Sequence, residues 1–435
     1  LRSRCPRSSH GDWRPPDDRP DPVALLEESS RTRVPKLVPV RYGRMLESPF
    51  AFFRGAPLVM ASDLSRTPSN GIHIQICGDA HLLNFGMYAT PERNMIFDVN
   101  DFDETHIGPW EWDVKRLAAS IVVAARTSGL DDQAGVAAVQ QAAAEYRSAL
   151  SSLAGVSPFE VWHSRIDVDA VVAAAPTKPA RAEVQKVVAK AQRRTSLQAL
   201  SKLTTVAEGK RVIVEDPPLV TRLTDEEVDE ARRFAESYTR RLDPDRRLLL
   251  ERYEFVDAAR KVVGVGSVGT RCYIVLLAAA VDLDPLFLQI KEAQPSVLGT
   301  FVGRSPYEYQ SQGQRVAVGQ RVMQAASDVF LGWARASGFN GYVRQLRDMK
   351  FSVGKLDRSQ PDGLVGYGRL CGATLARAHA RAGEPALLAG YLGGGSTFDE
   401  ALSRFAVAYA DQNERDYEAF GRAVKSGRIP AVIGR

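Results

Sequence analysis

Gly78-Asp79-Ala80-His81-Leu82-Leu83-Asn84-Phe85, followed by Ile96-Phe97-Asp98-Val99-Asn100-Asp101-Phe102-Asp103-Glu104, decides how this chain is read. An Asp is followed five positions later by an Asn, and a group of carboxylates closes the stretch. Between the two groups the pattern predicts strand, turn, strand, with Asn94 to Val99 as the second strand. Ile72-His73-Ile74-Gln75-Ile76-Cys77 alternates and is β-branched, so a strand delivers Asp79 at its end. Asp98, Asp101, Asp103 and Glu104 repel one another unless a cation or a basic side chain sits among them. Lys115 and Arg116 are candidate partners.

Outward from this stretch, Asp113 to Ala125 predicts a helix with Leu117, Ala118, Ile121 and Val122 on its apolar side. Helical pattern continues from Asp131 to about Leu203, with loop signals near Ser157-Pro158 and Ala175-Pro176. Lys186 to Arg194 is basic and reads as a solvated helix face ahead of a phosphate or acidic-partner contact. Asp225 to Leu242 is a charged helix. After it, Val262 to Leu277 predicts strand, glycine turn, strand, and Pro285 to Ala293 a strand carrying Lys291 near its end. Gln312 to Asp328 is helical, and Phe330–Ala336 with Tyr342–Leu346 predicts a hairpin across Ser337 to Gly341. Tyr367 to Ala382 and Phe398 to Val424 are helices. Residues 1–21, rich in Pro, Arg, Asp and Ser, predict a disordered tail.

With 435 residues and 44% hydrophobic content, the chain can build a large core and two lobes. A net charge of +5 permits an anionic ligand and does not argue for nucleic acid. Four scattered Cys without a CxxC spacing fit a reducing cytoplasm rather than a disulfide framework. No apolar run approaches a membrane span, and the polar, Arg-rich start does not resemble a secretory signal. The expectation is a cytoplasmic protein with no membrane or nucleic-acid partner.

An Asp, an Asn and a later Asp, in this order around a strand pair, suit γ-phosphoryl transfer from ATP. Asp79 is expected to orient the acceptor hydroxyl or take its proton. Asn84 and Asp101 are the expected Mg²⁺ ligands, with Asp98 and Asp103 competing for the place of Asp101. His81 is expected to order the loop, His73 to be a core or edge residue, Asp113 to bond the loop backbone, and His379 to be a satisfied buried histidine. Gly264-Val265-Gly266-Ser267-Val268-Gly269 has a dinucleotide-type spacing, but a β-rich run follows where a Rossmann unit needs a helix. A strand-turn-strand can instead fold over a triphosphate, with Gly264, Gly266, Ser267 and Gly269 approaching it and Lys291 reaching its phosphates.

From about Asp21 to Val424 the chain resembles the bacterial family called domain of unknown function 2252. The carrying segments are Val38 to Met45, Ser48 to Gly55, Cys77 to His81, Asn100 to Glu104, Trp112 to Leu117 and Tyr342 to Lys350. At the motif level, Gly78 to Asn84 with Asp101 is similar to the catalytic and metal loops of aminoglycoside and choline phosphotransferases, part of the protein-kinase-like superfamily. That likeness matches Asp79 to the catalytic Asp, Asn84 and Asp101 to the metal ligands, and Lys291 to the phosphate-binding Lys. Asp113 follows Asp101 at the interval seen there between the metal Asp and a later structural Asp. Arg377-Ala378-His379-Ala380 is similar to the helix end that precedes the catalytic loop.

In those enzymes the glycine loop and lysine come before the catalytic loop, whereas here they follow it, which implies circular permutation. The resemblance thus implies an α+β, protein-kinase-like two-lobed fold with a mostly helical large lobe and a small antiparallel-sheet nucleotide lobe. Residues 22–215 would form the catalytic-loop half, and 216–350 the nucleotide lobe ending in a hinge from Gln345 to Lys350. Residues 351–435 would complete the large lobe. No glutamate is identifiable as the partner of Lys291. The expected activity is ATP- and Mg²⁺-dependent phosphotransfer to an unidentified small-molecule or protein acceptor, with AMP transfer on the same fold as a variant. A pseudokinase-like nucleotide-binding module and a metallophosphoesterase are the alternatives. Arg41, Arg44 and Arg54 would bind an anionic acceptor or pair with the carboxylates.

Overall fold

The alternating run before Asp79 forms β1 (His73–Ile76), and the stretch after it folds as a hairpin of β2 (Phe85–Ala89) and β3 (Met95–Val99). β4 (His106–Pro109) returns to pair antiparallel with β1. The carboxylate segment therefore starts at the end of β3 and is led back beside the strand that delivers Asp79. The structure, a computed structural model, describes residues 2–434 apart from 4, 175–177, 194, 280–283, 337–338, 347–350 and 353–359. The loop expected at Ala175-Pro176, the Ser337-Gly338 turn and the Arg347 to Lys350 part of the hinge lie outside the described residues.

The architecture is mixed α+β. Helices Trp110–Thr127, Asp132–Leu153, Pro361–Ala382 and Thr397–Lys425 pack into the main core through Trp110, Ile121, Tyr146, Leu375 and Phe405, all fully buried. Each such side chain contributes about 1.5–3 kcal/mol of transfer free energy. β5 (Thr204–Ala207) and β6 (Lys210–Ile213) make a small hairpin. β7 (Val220–Arg222), β8 (Tyr253–Lys261), β9 (Cys272–Ala279), β10 (Pro285–Glu292), β11 (Gly332–Ala336) and β12 (Phe339–Gln345) form one antiparallel sheet in the order β11-β12-β10-β9-β8-β7. β13 (Phe351–Ser352) pairs with β2.

Strand alternation sorts β10 onto two faces. Leu286, Leu288 and Ile290 pack with Phe234 and Tyr238 of helix Asp225–Arg241. Phe287 packs on the other face against Ala199 of helix Ser196–Leu203, the face to which alternation also assigns Gln289 and Lys291. Helix Gln312–Met323 connects β10 to β11, and it stops short of the expected Asp328. Among the described residues, no helix is long and apolar enough to cross a membrane, and Cys5, Cys77, Cys272 and Cys371 are free and buried.

The segment expected to be a disordered tail is packed instead. Trp13 lies against Phe405 and Tyr409, and His10 Nε2 bonds the Tyr391 hydroxyl at 2.7 Å. Arg19 forks between Asp63 and Asp416 at 2.7 and 2.6 Å, with all three side chains largely buried. Its polar composition concealed a few strong anchors, which the long C-terminal helix receives. Arg19→Ala should strand two buried carboxylates and destabilise the protein by about 3 kcal/mol or more. Urea denaturation measures this, and an unchanged midpoint would refute the docking.

Candidate active site

Asp79 leaves β1 through Gly78, whose φ of 81° suits glycine. A Cβ at Gly78 would sit 2.3 Å from the Glu104 carbonyl oxygen, so the loop passes directly against the carboxylate segment. Asp113 fixes this turn, accepting the N–H groups of Cys77 and Gly78 at 2.8 and 2.9 Å. His379 Nε2 lies 3.2 Å from the same carboxylate, and His379 Nδ1 meets the Tyr146 hydroxyl at 2.8 Å. The backbone that presents Asp79 is thus held by three helices: those of Asp113, Tyr146 and His379.

Arg116 donates from Nε and Nη2 to Asp79 Oδ1, each at 2.7 Å, and stacks on Phe53. Burial pushes the Asp79 carboxyl above its ordinary pKa, while Arg116 opposes that shift. His81 accepts the Leu83 N–H at Nδ1, which leaves the proton on Nε2, 3.8 Å from Asp79 Oδ2. Burial and the nearby Arg54 and Arg116 hold His81 neutral. Asn84 donates its amide to the Asp79 carbonyl at 2.6 Å, which turns its Oδ1 into an available acceptor.

The carboxylate cluster separates into distinct roles. Asp98 was a candidate metal ligand, and the structure corrects this. It is fully buried and receives Arg377 Nη2 at 2.5 Å, the N–H groups of Ala325 and Val99 at 2.8 Å, and the Tyr88 hydroxyl. No oxygen of Asp98 is left for a cation. Asp103 is likewise engaged, accepting Lys291 Nζ at 2.5 Å, the Tyr342 hydroxyl at 2.7 Å and the Ser267 hydroxyl at 3.1 Å. Asp103, rather than a glutamate, is the carboxylate that Lys291 contacts. Lys291 is only 2% exposed, yet its pKa is raised, because Asp101 and Asp103 outweigh the cost of burial. Asp103 is pulled down to about 2 by the Lys291 charge and the Lys291 and Tyr342 hydrogen bonds, against burial.

Asp101 accepts only the Asp103 N–H, at 3.3 Å, among the described residues. Beside it, Asn100 is 6% exposed with neither end of its side-chain amide paired. The Asn100 N–H bonds the Asn84 carbonyl at 2.7 Å, which brings the backbone of these residues together, and carboxylate and amide oxygens are hard donors of the kind Mg²⁺ prefers. Among the described residues no three His, Cys, Asp or Glu side chains group as a candidate metal site.

The glycine loop lies above this segment. Gly264 and Gly269 have φ of 66° and 92°, and Ser267 Oγ is 3.4 Å from Lys291 Nζ. The Cβ position of Gly266 is 3.3 Å from the Arg54 carbonyl. Arg44 and Arg33 bond the carbonyls of Gly264 and Val268, and Arg41 bonds the Gly55 carbonyl. Arg41 and Arg44 thus hold backbone carbonyls, while Arg54 acts electrostatically on Asp79. Gln345 is the last residue of β12 and pairs with Leu288, its N–H bonding Asp328, and just beyond the strand the Leu346 N–H bonds the Phe287 carbonyl at 2.8 Å. Residues that sequence reasoning did not single out complete the site. Arg315 of helix Gln312–Met323 bonds the carbonyls of Asp103, Thr105 and Gln294, and Arg344 bonds Gln289 and the Asn100 carbonyl. No local signal marks Arg315, since its partners are remote in sequence.

The family pattern described as "Uncharacterized protein conserved in bacteria (DUF2252)" matches residues 33–423. The chain belongs to this family. No curated protein and no solved structure matches it.

In this DUF2252 protein, Glu104 offers a pH-dependent test of the geometry. Its Oε2 accepts the Val297 N–H at 2.8 Å, but burial pushes its carboxyl from 4.5 up to about 6. The folded state therefore binds this proton more tightly than the unfolded chain, and stability is lost as pH rises from about 4.5 through 6. Glu104→Gln should remove that loss, gaining on the order of 1–2 kcal/mol over wild type at pH 8 and little at pH 4. Paired urea titrations check this, and a gain that does not grow with pH refutes the assignment.

Proposed function

We propose that this protein is an ATP- and Mg²⁺-dependent phosphotransferase with a circularly permuted, protein-kinase-like arrangement of two lobes. The observation that carries the reading is the contact of Lys291 with Asp103, across 188 residues of chain and two positions beyond the available Asp101. Further support comes from element order. A glycine loop joins β8 to β9, the lysine is on β10, and the short helix Gly299–Val302, helix Gln312–Met323 and two more strands follow; apart from the extra short helix this is the order used by kinases to grip a nucleotide. The hairpin β2–β3 separates Asn84 from Asp101, as metal amide and metal carboxylate require in that scheme.

In this reading Arg116 holds Asp79 by Oδ1, so Oδ2 is the atom that orients the acceptor hydroxyl and receives its proton. The acceptor oxygen forms a bond to the γ-phosphorus as the bond to the bridging oxygen breaks, and ADP leaves. Bound Mg²⁺ would neutralise charge on the β- and γ-phosphates from the side of Asn84 and Asp101. Lys291 rests on the Asp103 carboxylate, an anion that stands where phosphate oxygens would be drawn. Catalysis on this plan is positioning and charge neutralisation.

A binding module without turnover is the second reading, favoured by helix Gln312–Met323, whose sequence contains no glutamate for Lys291. Both are tested by incubating the protein with γ-labelled and α-labelled ATP, Mg²⁺ and an acceptor library. Transfer of the γ-label is expected. Asp101→Asn should lower it roughly 100-fold or more, and Asp79→Ala should abolish it while ATP still raises the melting temperature. Stabilisation by ATP without transfer of label supports the binding module. Full activity in Asp101→Asn refutes the assigned site.

A further inference from the structure

The basic run from Lys186 sits on a pair of helices that pack against different parts of the molecule. Helix Lys178–Gln192 buries Val188 and Ala191 in the main helical core, whereas helix Ser196–Leu203 buries Ala199 against Ile274 and Phe287 of the sheet. Between these helices is an open groove of about 470 Å³, lined by Lys186, Lys190, Arg193, Gln198 and Lys202 with Ala189. No carboxylate is among these lining residues. Lys186 meets Glu183 at 3.5 Å, but both side chains are largely exposed, and such a pair contributes little.

Lys190 and Lys202 each lie in the last turn of a helix, where a cation is favourable by itself. That accounts for each residue singly. It does not account for cations of two helices turning into one concavity, where they repel one another. The volume suits a small molecule, for which sites span roughly 300–1,000 Å³. Concentrated positive charge with an arginine fork suits phosphate oxygens.

We propose that this groove binds a small molecule carrying several phosphate groups, at a site separate from the Asp79–Asp101 segment. Its ligand would bridge a helix rooted in the helical core and a helix rooted on the Lys291 face of the sheet. The occupant would thereby tie the two packing units together.

The test is titration calorimetry of the intact protein with inorganic tripolyphosphate, without Mg²⁺, at fixed salt. The double variant Lys190→Glu/Arg193→Glu should weaken binding by about tenfold or more, with an unchanged melting temperature because both side chains are exposed. Lys210→Glu, an exposed charge reversal on β6 outside the groove, should leave the affinity as in wild type. The proposal is overturned if wild type does not bind, if the groove variant binds equally well, or if Lys210→Glu weakens binding as much as the groove variant does. Tighter binding of a poly-glutamate peptide than of tripolyphosphate would overturn the ligand class and indicate an acidic protein partner.

Discussion

A lysine on the sheet and an aspartate from the β3–β4 connection meet where the ammonium is almost out of water. Removing such charges from solvent costs several kcal/mol per ion before their attraction is counted. Here the cost is offset by a second carboxylate, Asp101, and by the hydroxyls of Tyr342 and Ser267 on or beside the pair. The net result raises the lysine pKa and lowers that of Asp103, so both remain charged. Because removal of either partner would leave a buried charge uncompensated, the sheet and the carboxylate segment are held in one register. The glycine loop, tied to the pair by Ser267, shares that constraint.

Two further devices carry this register into the rest of the molecule. Arg315 collects the carbonyls of Asp103, Thr105 and Gln294, joining the helix after β10 to the segment facing Lys291. On the other side, Asp113 collects the N–H groups at the end of β1, with His379 and then Tyr146 hydrogen-bonded in line behind it. The turn bearing Asp79 consequently depends on helices from opposite ends of the chain. A site assembled this way tolerates rearranged sequence order, since what matters is where the backbone ends up in space.

Much of the scaffold was legible because short-range pattern is strong in it. β1, β3 and β10 are alternating or β-branched runs, and the helices at Trp110–Thr127, Asp225–Arg241 and Thr397–Lys425 show clear apolar periodicity. The N-terminal segment was misread because composition registers average polarity, whereas docking needs only Trp13, His10 and Arg19. Asp98 was misread for a related reason. Its partner Arg377 lies 279 residues away, and nothing beside Asp98 in sequence distinguishes it from Asp101. Asp103 was read as a metal candidate because its cation partner, Lys291, lies 188 residues away on β10.

Taken by itself, the sequence determined which residues are chemically suited to phosphate and hard-cation work, and which segments become strands and helices. Those properties follow from side-chain chemistry and local periodicity, which are written within a few residues. Only the tertiary structure decided how the carboxylates divide: Asp98 to Arg377, Asp103 to Lys291, Asp101 left available. That division depends on desolvation and on the approach of remote cations, and neither exists until the chain has folded.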